Sequence, residues 1–279
     1  MWIWFAVLSG LFYTVSGLVT RRILKGNQDA WAFSFYFSFF GALTSIPFVL
    51  TNPKYPLWSW SWLVLIMVAV LIVIQNLLNF KSSNTLEASV QGSVIKLRLV
   101  WVMLIGIFII NESLTMYKII GTLLTFIAGL FIIAKFKSGV SFKGVGYALA
   151  STVFYATVIG LYKVLFTSFN SQTLTFFIFL FPAIINMVIM PHSLDRIIRL
   201  YKNNGYLVIF GCILGGLANL SMNYSLSIGE ASKVLVIIES FLILTLVGEH
   251  IWLKERNNLS IKLIAVILAT GGAILIRLS

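Results

Sequence analysis

The chain has 279 residues, of which 59% are hydrophobic and only 10% charged, and its mean hydropathy is +1.00, against roughly 45–50% apolar and about 25% charged residues in a soluble domain. Such a composition excludes a soluble globular protein and reads as an all-α integral membrane protein. The formal net charge of +12 would suggest nucleic acid in a soluble chain, but the basic residues sit in short connectors between apolar runs, where they act as topology signals.

A hydrocarbon core takes about 20 apolar helical residues. The sequence supplies ten such stretches, near 2–20, 30–50, 62–80, 86–110, 116–134, 145–166, 172–190, 206–224, 231–252 and 260–276. The first opens Met1-Trp2-Ile3-Trp4 without a basic segment and runs to Thr20 before Arg21-Arg22, which predicts a transmembrane helix rather than a cleaved signal peptide. After the second come Pro53 and Pro56, then Trp58, Trp60 and Trp62, an aromatic belt for the outer interface. Pro182 inside the seventh predicts a kink. Between the seventh and eighth, Arg196, Arg199 and Lys202 share one face while Leu194, Ile197, Ile198 and Tyr201 cover much of the rest, which predicts a short interfacial helix. Gly211 and Gly215, with Gly216 and Ala218, let the eighth approach a neighbour closely. Glu249-His250 read as an interfacial pair near the end of the ninth. The single cysteine, Cys212, excludes an intramolecular disulfide and a cysteine metal cluster.

The chain is a tandem duplication. Glu87-Ala88-Ser89 returns as Glu230-Ala231-Ser232 at an offset of 143, which also carries Lys96 onto Glu239 and Asn111-Glu112-Ser113 onto Lys254-Glu255-Arg256. Tyr13 with Arg21 matches Tyr155 with Lys163 at 142, and Gln75 with Asn79 matches Asn219 with Asn223 at 144. Two repeats, 1–138 and 139–279, each with five spans, must lie inverted relative to each other because five is odd. Of the 20 basic residues, 13 fall in connectors after odd-numbered stretches. The positive-inside rule then puts those connectors in the cytoplasm and both termini outside the cell (inner) membrane.

Lys96, Arg98 and Glu239 lie deep within the fourth and ninth stretches, where three unpaired charges would cost roughly 9 kcal/mol. The equivalence of Lys96 and Glu239 predicts that these two meet across a central cavity; the plainer alternative is an ion pair that only ties the halves together. Arg98, about 200° around a continuous helix from Lys96, is the second candidate cation. The i, i+4 amide pairs Gln75/Asn79 and Asn219/Asn223 each form one polar patch on a helix face, for a cavity wall or for interhelical hydrogen bonds. Tyr13, Tyr155 and Tyr224 complete the candidate substrate site. No HExxH, GxSxG or phosphate-cradling glycine loop is present, which speaks against an enzyme, a catalytic metal, a cofactor or ATP-driven transport within this chain.

Two five-span repeats resemble the EamA-type branch of the drug/metabolite transporter superfamily. Each has a small-residue turn, a long apolar span, a glutamate turn and a small-residue pair in the last span (Ala128-Gly129, Gly271-Gly272). The resemblance covers the whole chain and implies a helical basket with a central cavity, carrying amino acids or other small metabolites, often outward. Relatives usually have a proline in the middle of spans four and nine, near Leu99 and Leu242, so this chain lacks the residue that bends those spans. The expected function is a secondary carrier for a small polar solute, an amino acid or other carboxylate-bearing or zwitterionic metabolite, working by alternating access in the bilayer. Lys96, with Arg98, would take the anionic group and Glu239 the cationic one. The candidate coupling ion is a proton, and the candidate assembly a monomer or homodimer. The alternatives are a carrier of phosphorylated solutes, or a flippase for a lipid-linked intermediate using Arg196, Arg199 and Lys202.

Overall fold

The computed structural model describes residues 1–25, 28–57, 59–108, 115–135, 141–254 and 259–277, and among these all regular structure is helical. In chain order the helices are α1 (Trp2–Leu24), α2 (Ala30–Thr51), α3 (Trp60–Thr85), α4 (Ala88–Ile95), α5 (Arg98–Phe108), α6 (Met116–Lys135), α7 (Phe142–Leu165), α8 (Ser171–Ile189), α9 (Ser193–Asn204), α10 (Tyr206–Ile228), α11 (Ala231–Ser240), α12 (Leu242–Gly248) and α13 (Leu259–Arg277). A π-helical turn, Glu249–Leu253, extends α12. The Asn111-Glu112-Ser113 turn, Glu255-Arg256 and Trp58 lie outside the described residues.

Helix starts follow from local chemistry. Asp29 accepts from the N–H groups of Trp31 and Ala32 at the head of α2, and Asn170 accepts from Thr173 at the head of α8, each satisfying donors that a helix leaves orphaned. The repeated Glu-Ala-Ser motif has a matching local structure. Glu87 and Glu230 are the last extended residues before α4 and α11, with φ/ψ of −63°/149° and −66°/135°.

Eight described helical stretches are long and apolar enough to cross a membrane. Six are single helices (α1, α2, α3, α7, α8 and α10), and two are composites that include α4–α5 and α11–α12. α6 and α13, helical over the fifth and tenth predicted stretches, pack on each other. The helix contacts map onto themselves when the two halves are exchanged: α1 packs on α10 as α7 packs on α3, and α2 packs on its equivalent α8.

Hydrogen bonds fix the helix directions. Ser9 Oγ donates to Ala218 O at 2.8 Å, Ser16 Oγ to Gly211 O at 2.8 Å and Ser225 Oγ to Trp2 O at 2.9 Å, so α1 and α10 run antiparallel. α2 and α8 do too, with Asn186 Nδ2 on Ser34 Oγ at 3.2 Å at one end and Asn170 on the Asn52 carbonyl at the other. The glycines of α10 set the spacing. A Cβ on Gly215 would come within 2.3 Å of the Phe37 ring, and one on Gly216 within 3.0 Å of the Gly41 backbone.

The fourth and ninth spans are broken without proline. Lys96 and Leu97 separate α4 from α5, and Phe241 separates α11 from α12. Tighter i→i+3 bonds bridge the breaks: Leu97 N to Val94 O at 3.1 Å, Leu99 N to Lys96 O at 2.9 Å and Phe241 N to Ile238 O at 3.3 Å. Backbone groups stay satisfied, as non-helical chain at membrane depth requires. α8, by contrast, runs as one helix through Pro182.

The expected interfacial helix is α9, which buries Ile197 and Leu200 and leaves Leu194 and Ile198 exposed. Arg196 is turned inward to Asp29, with Nε on Oδ2 at 2.5 Å and Nη2 on Oδ1 at 2.6 Å. At the head of α3 the Trp62 Nε1 donates to Pro56 O at 3.0 Å and its ring packs edge-on to Phe169 and Phe177. Glu249 is fully buried within the protein.

Candidate functional site

A cavity of about 230 Å³ lies between the halves. α1 contributes the face from Gly10 to Thr20, α3 the face from Gln75 to Ser83, and the broken spans supply Gln91, Arg98, Glu239 and Phe241. No residue of α1 before Gly10 and none of α3 before Gln75 lines it, so the cavity extends from mid-helix toward the ends that carry Arg21 and Lys81. At the opposite end the halves meet: Ser61 and Ser168 share a 2.8 Å hydrogen bond and Trp62 packs on Phe169.

Arg98 and Glu239 form the charged centre of the wall. Arg98 Nε donates to Glu239 Oε1 at 2.7 Å, and a second guanidinium nitrogen reaches the same oxygen. The guanidinium lies over the Tyr155 ring, 4.1 Å from its centroid. The Tyr13 and Tyr155 hydroxyls converge on Met222 Sδ, at 3.7 and 3.3 Å. Burying two charges is expensive, and mutual pairing with an aromatic face under the cation offsets much of that cost.

Seven of the ten sequence candidates line this cavity: Arg98, Glu239, Gln75, Asn79, Asn219, Tyr13 and Tyr155. The expected partnership of Lys96 with Glu239 is replaced by Arg98 with Glu239. Lys96 is 1% exposed, does not line the cavity, and its Nζ has no hydrogen-bond partner among the described residues. The break explains the exchange, because a 3₁₀ turn advances about 120° per residue rather than 100° and so re-aims every side chain beyond it. Asn223 is buried between helices, its Nδ2 donating to Thr175 Oγ1 at 2.9 Å, and Tyr224 packs on Phe5 with ring centroids 4.4 Å apart.

Several wall residues escaped the sequence reading, among them Gln91, Asn76 and Thr14. Gln91 donates to Asn79 Oδ1 at 3.0 Å and accepts from Ser83 Oγ at 2.8 Å, fixing one of the amides. Asn76 lines the same cavity and, three residues before Asn79, shares its stripe. Thr14 donates to Gly10 O at 2.9 Å and lies 3.4 Å from Phe241 O at the break.

A second, wider cavity of about 570 Å³ sits at the Arg21 end, lined by Asp29, Trp31, Lys81, Arg196 and Arg199. Lys202 is not part of it. The Asp29 carboxyl would be raised by its partial burial, but the Arg196 guanidinium and two backbone N–H groups hold it below the usual carboxylate range; the same contact raises Arg196. No group of three His, Cys, Asp or Glu side chains suited to a metal occurs among the described residues.

The eight spans and the buried ion pair define a multi-pass helical membrane protein. The model of the EamA-like transporter family matches residues 1–134 and again 142–278, and the chain belongs to that family. A solved structure described only as "Crystal structure of protein" superposes with a TM-score of 0.68 at 14% identity, covering 98% of this chain and 96% of that one, a likeness of fold alone. No curated protein matches the chain.

Proposed function

We propose that this transporter is a secondary carrier exporting a small zwitterionic or carboxylate-bearing solute, an amino acid in the first instance, by alternating access between two inverted five-span repeats. The observation that carries the reading is the Arg98–Glu239 pair on the wall of the inter-repeat cavity, with Tyr155 beneath the guanidinium. A substrate carboxylate competes with Glu239 for Arg98, and the freed carboxylate takes the substrate ammonium. Total charge in the site is conserved, so neither state leaves a bare buried ion. Gln75, Asn79 and Asn219 supply the remaining hydrogen bonds.

Four further features support it. A pair of zero net charge suits a zwitterion better than a phosphate dianion. At about 230 Å³ the cavity is smaller than the roughly 300–1,000 Å³ of drug-sized sites. It extends toward the side rich in basic connectors, cytoplasmic by the positive-inside rule, so loading occurs inside and release outside. Antiparallel α2 and α8 agree with inverted repeats.

The test is efflux from proteoliposomes loaded with a mixture of labelled neutral amino acids, their methyl esters, and sugar phosphates. The amino acids should leave faster than from protein-free liposomes, and the esters, which lack the carboxylate, should leave at the same rate with and without the protein. Efflux of sugar phosphates alone would replace the substrate class.

A further inference from the structure

The three sequence candidates that do not line the cavity share one property: the repeat-equivalent of each one does. Lys96 is equivalent to Glu239 at an offset of 143, Asn223 to Asn79 at 144 and Tyr224 to Phe80 at 144. Glu239, Asn79 and Phe80 all line the cavity. Other equivalent pairs are not divided in this way, since both members of Tyr13/Tyr155, of Gln75/Asn219, of Ile95/Ile238 and of Arg98/Phe241 line it. The lining set thus divides into pairs common to both repeats and a one-sided part, taken from α1, α3 and the first half of the fourth span, with Glu239 and Thr245 from the ninth.

That division is what an inverted pair of repeats produces when each holds a different conformation. Exchanging the two conformations turns the cavity to the other face of the membrane without any new fold. The end contacts are already matched for the exchange. Arg21 on α1 donates to Ser83 O at the end of α3, 2.5 Å away, and its equivalent Lys163 on α7 donates to Leu226 O at the end of α10.

Resting on the alternating-access reading above, we infer that Lys96, Asn223 and Tyr224 are the substrate-facing residues of the opposite-facing state, in which Lys96 enters the cavity as Glu239, Asn79 and Phe80 withdraw from it. Lys96 Nζ, which has no hydrogen-bond partner among the described residues, finds one there, in the carboxylate of the departing solute. Asn223 gives up Thr175 and Tyr224 gives up Phe5. Arg98 stays in the common set and meets the solute in both states, and because Lys96 and Glu239 are each other's repeat-equivalents the exchange keeps their separation, so Glu239 withdraws facing Lys96.

Single cysteines report this directly. In a Cys212→Ser background, Asn79→Cys, Asn219→Cys, Asn223→Cys and Tyr224→Cys are challenged with a membrane-impermeant thiol reagent from either face of sealed vesicles. The inference expects Asn79→Cys to react from the face bearing Arg21, Asn223→Cys and Tyr224→Cys from the opposite face only, and Asn219→Cys from both. Reaction of Asn219→Cys from both faces, with Asn223→Cys and Tyr224→Cys inert from the far one, would overturn the exchange and leave alternating access standing. Reaction of Asn219→Cys from a single face would overturn alternating access itself, and the inference with it.

Discussion

Arg98 and Glu239 stand 141 residues apart in sequence, one in each family-model match, and two guanidinium nitrogens of the first close on a single carboxylate oxygen of the second. Removing either partner strands a charge at membrane depth, at a cost of about 3–5 kcal/mol. Arg98→Gln and Glu239→Gln should each lower the unfolding temperature in detergent and cut transport at least about tenfold. Replacing both by apolar residues, Arg98→Met with Glu239→Leu, should restore much of the stability and none of the transport.

Tyr155 separates a ring effect from a hydroxyl effect. A desolvated cation–π contact is worth about 2 kcal/mol. Tyr155→Leu should therefore weaken substrate affinity by about tenfold or more, whereas Tyr155→Phe, which loses only the contact with Met222 Sδ, should stay within about threefold, as measured by KM for efflux.

Close packing of α10 rests on residues without a Cβ. Gly216→Val would press on Thr44 and the Gly41 backbone, neither of which is a flexible side-chain end. Overpacking of this kind costs about 1–3 kcal/mol. Gly146→Val, where nothing lies within 4 Å of the added Cβ, should be neutral or slightly stabilising, since valine has the higher helix propensity; paired thermal melts compare the two.

Asp29 predicts a pH signature. Its carboxyl is held below the usual value, so its contribution is complete above a pH of about 4 and is lost as the pH falls through the lowered pKa. Thermal melts of the wild type should drop over that window, and those of Asp29→Asn should drop less from a lower start. Asp29→Ala removes the N-cap as well, for about 1 kcal/mol more.

The architecture was legible because duplication leaves residues in register: Glu87 with Glu230 and Tyr13 with Tyr155 gave the repeats without any structure. Five wall residues were legible for the same reason, as polar groups recurring between the repeats in apolar stretches, and Arg98 and Glu239 as charges inside such stretches. That Arg98 rather than Lys96 bonds Glu239 was not legible, because the pairing was read from one continuous helix, and with leucine at 99 and 242 nothing in the local sequence marks the breaks. Small hydroxyls such as Thr14 stayed invisible because they bond back to their own helix in any case. Asn223 and Tyr224 belong to a set that a single conformation does not display together.

The most direct test of the carrier account is counterflow of a labelled neutral amino acid into proteoliposomes preloaded with the unlabelled solute, wild type beside Arg98→Gln. The account predicts transient accumulation against the label gradient in the wild type and its loss in Arg98→Gln. Accumulation of equal size in both proteins would contradict it.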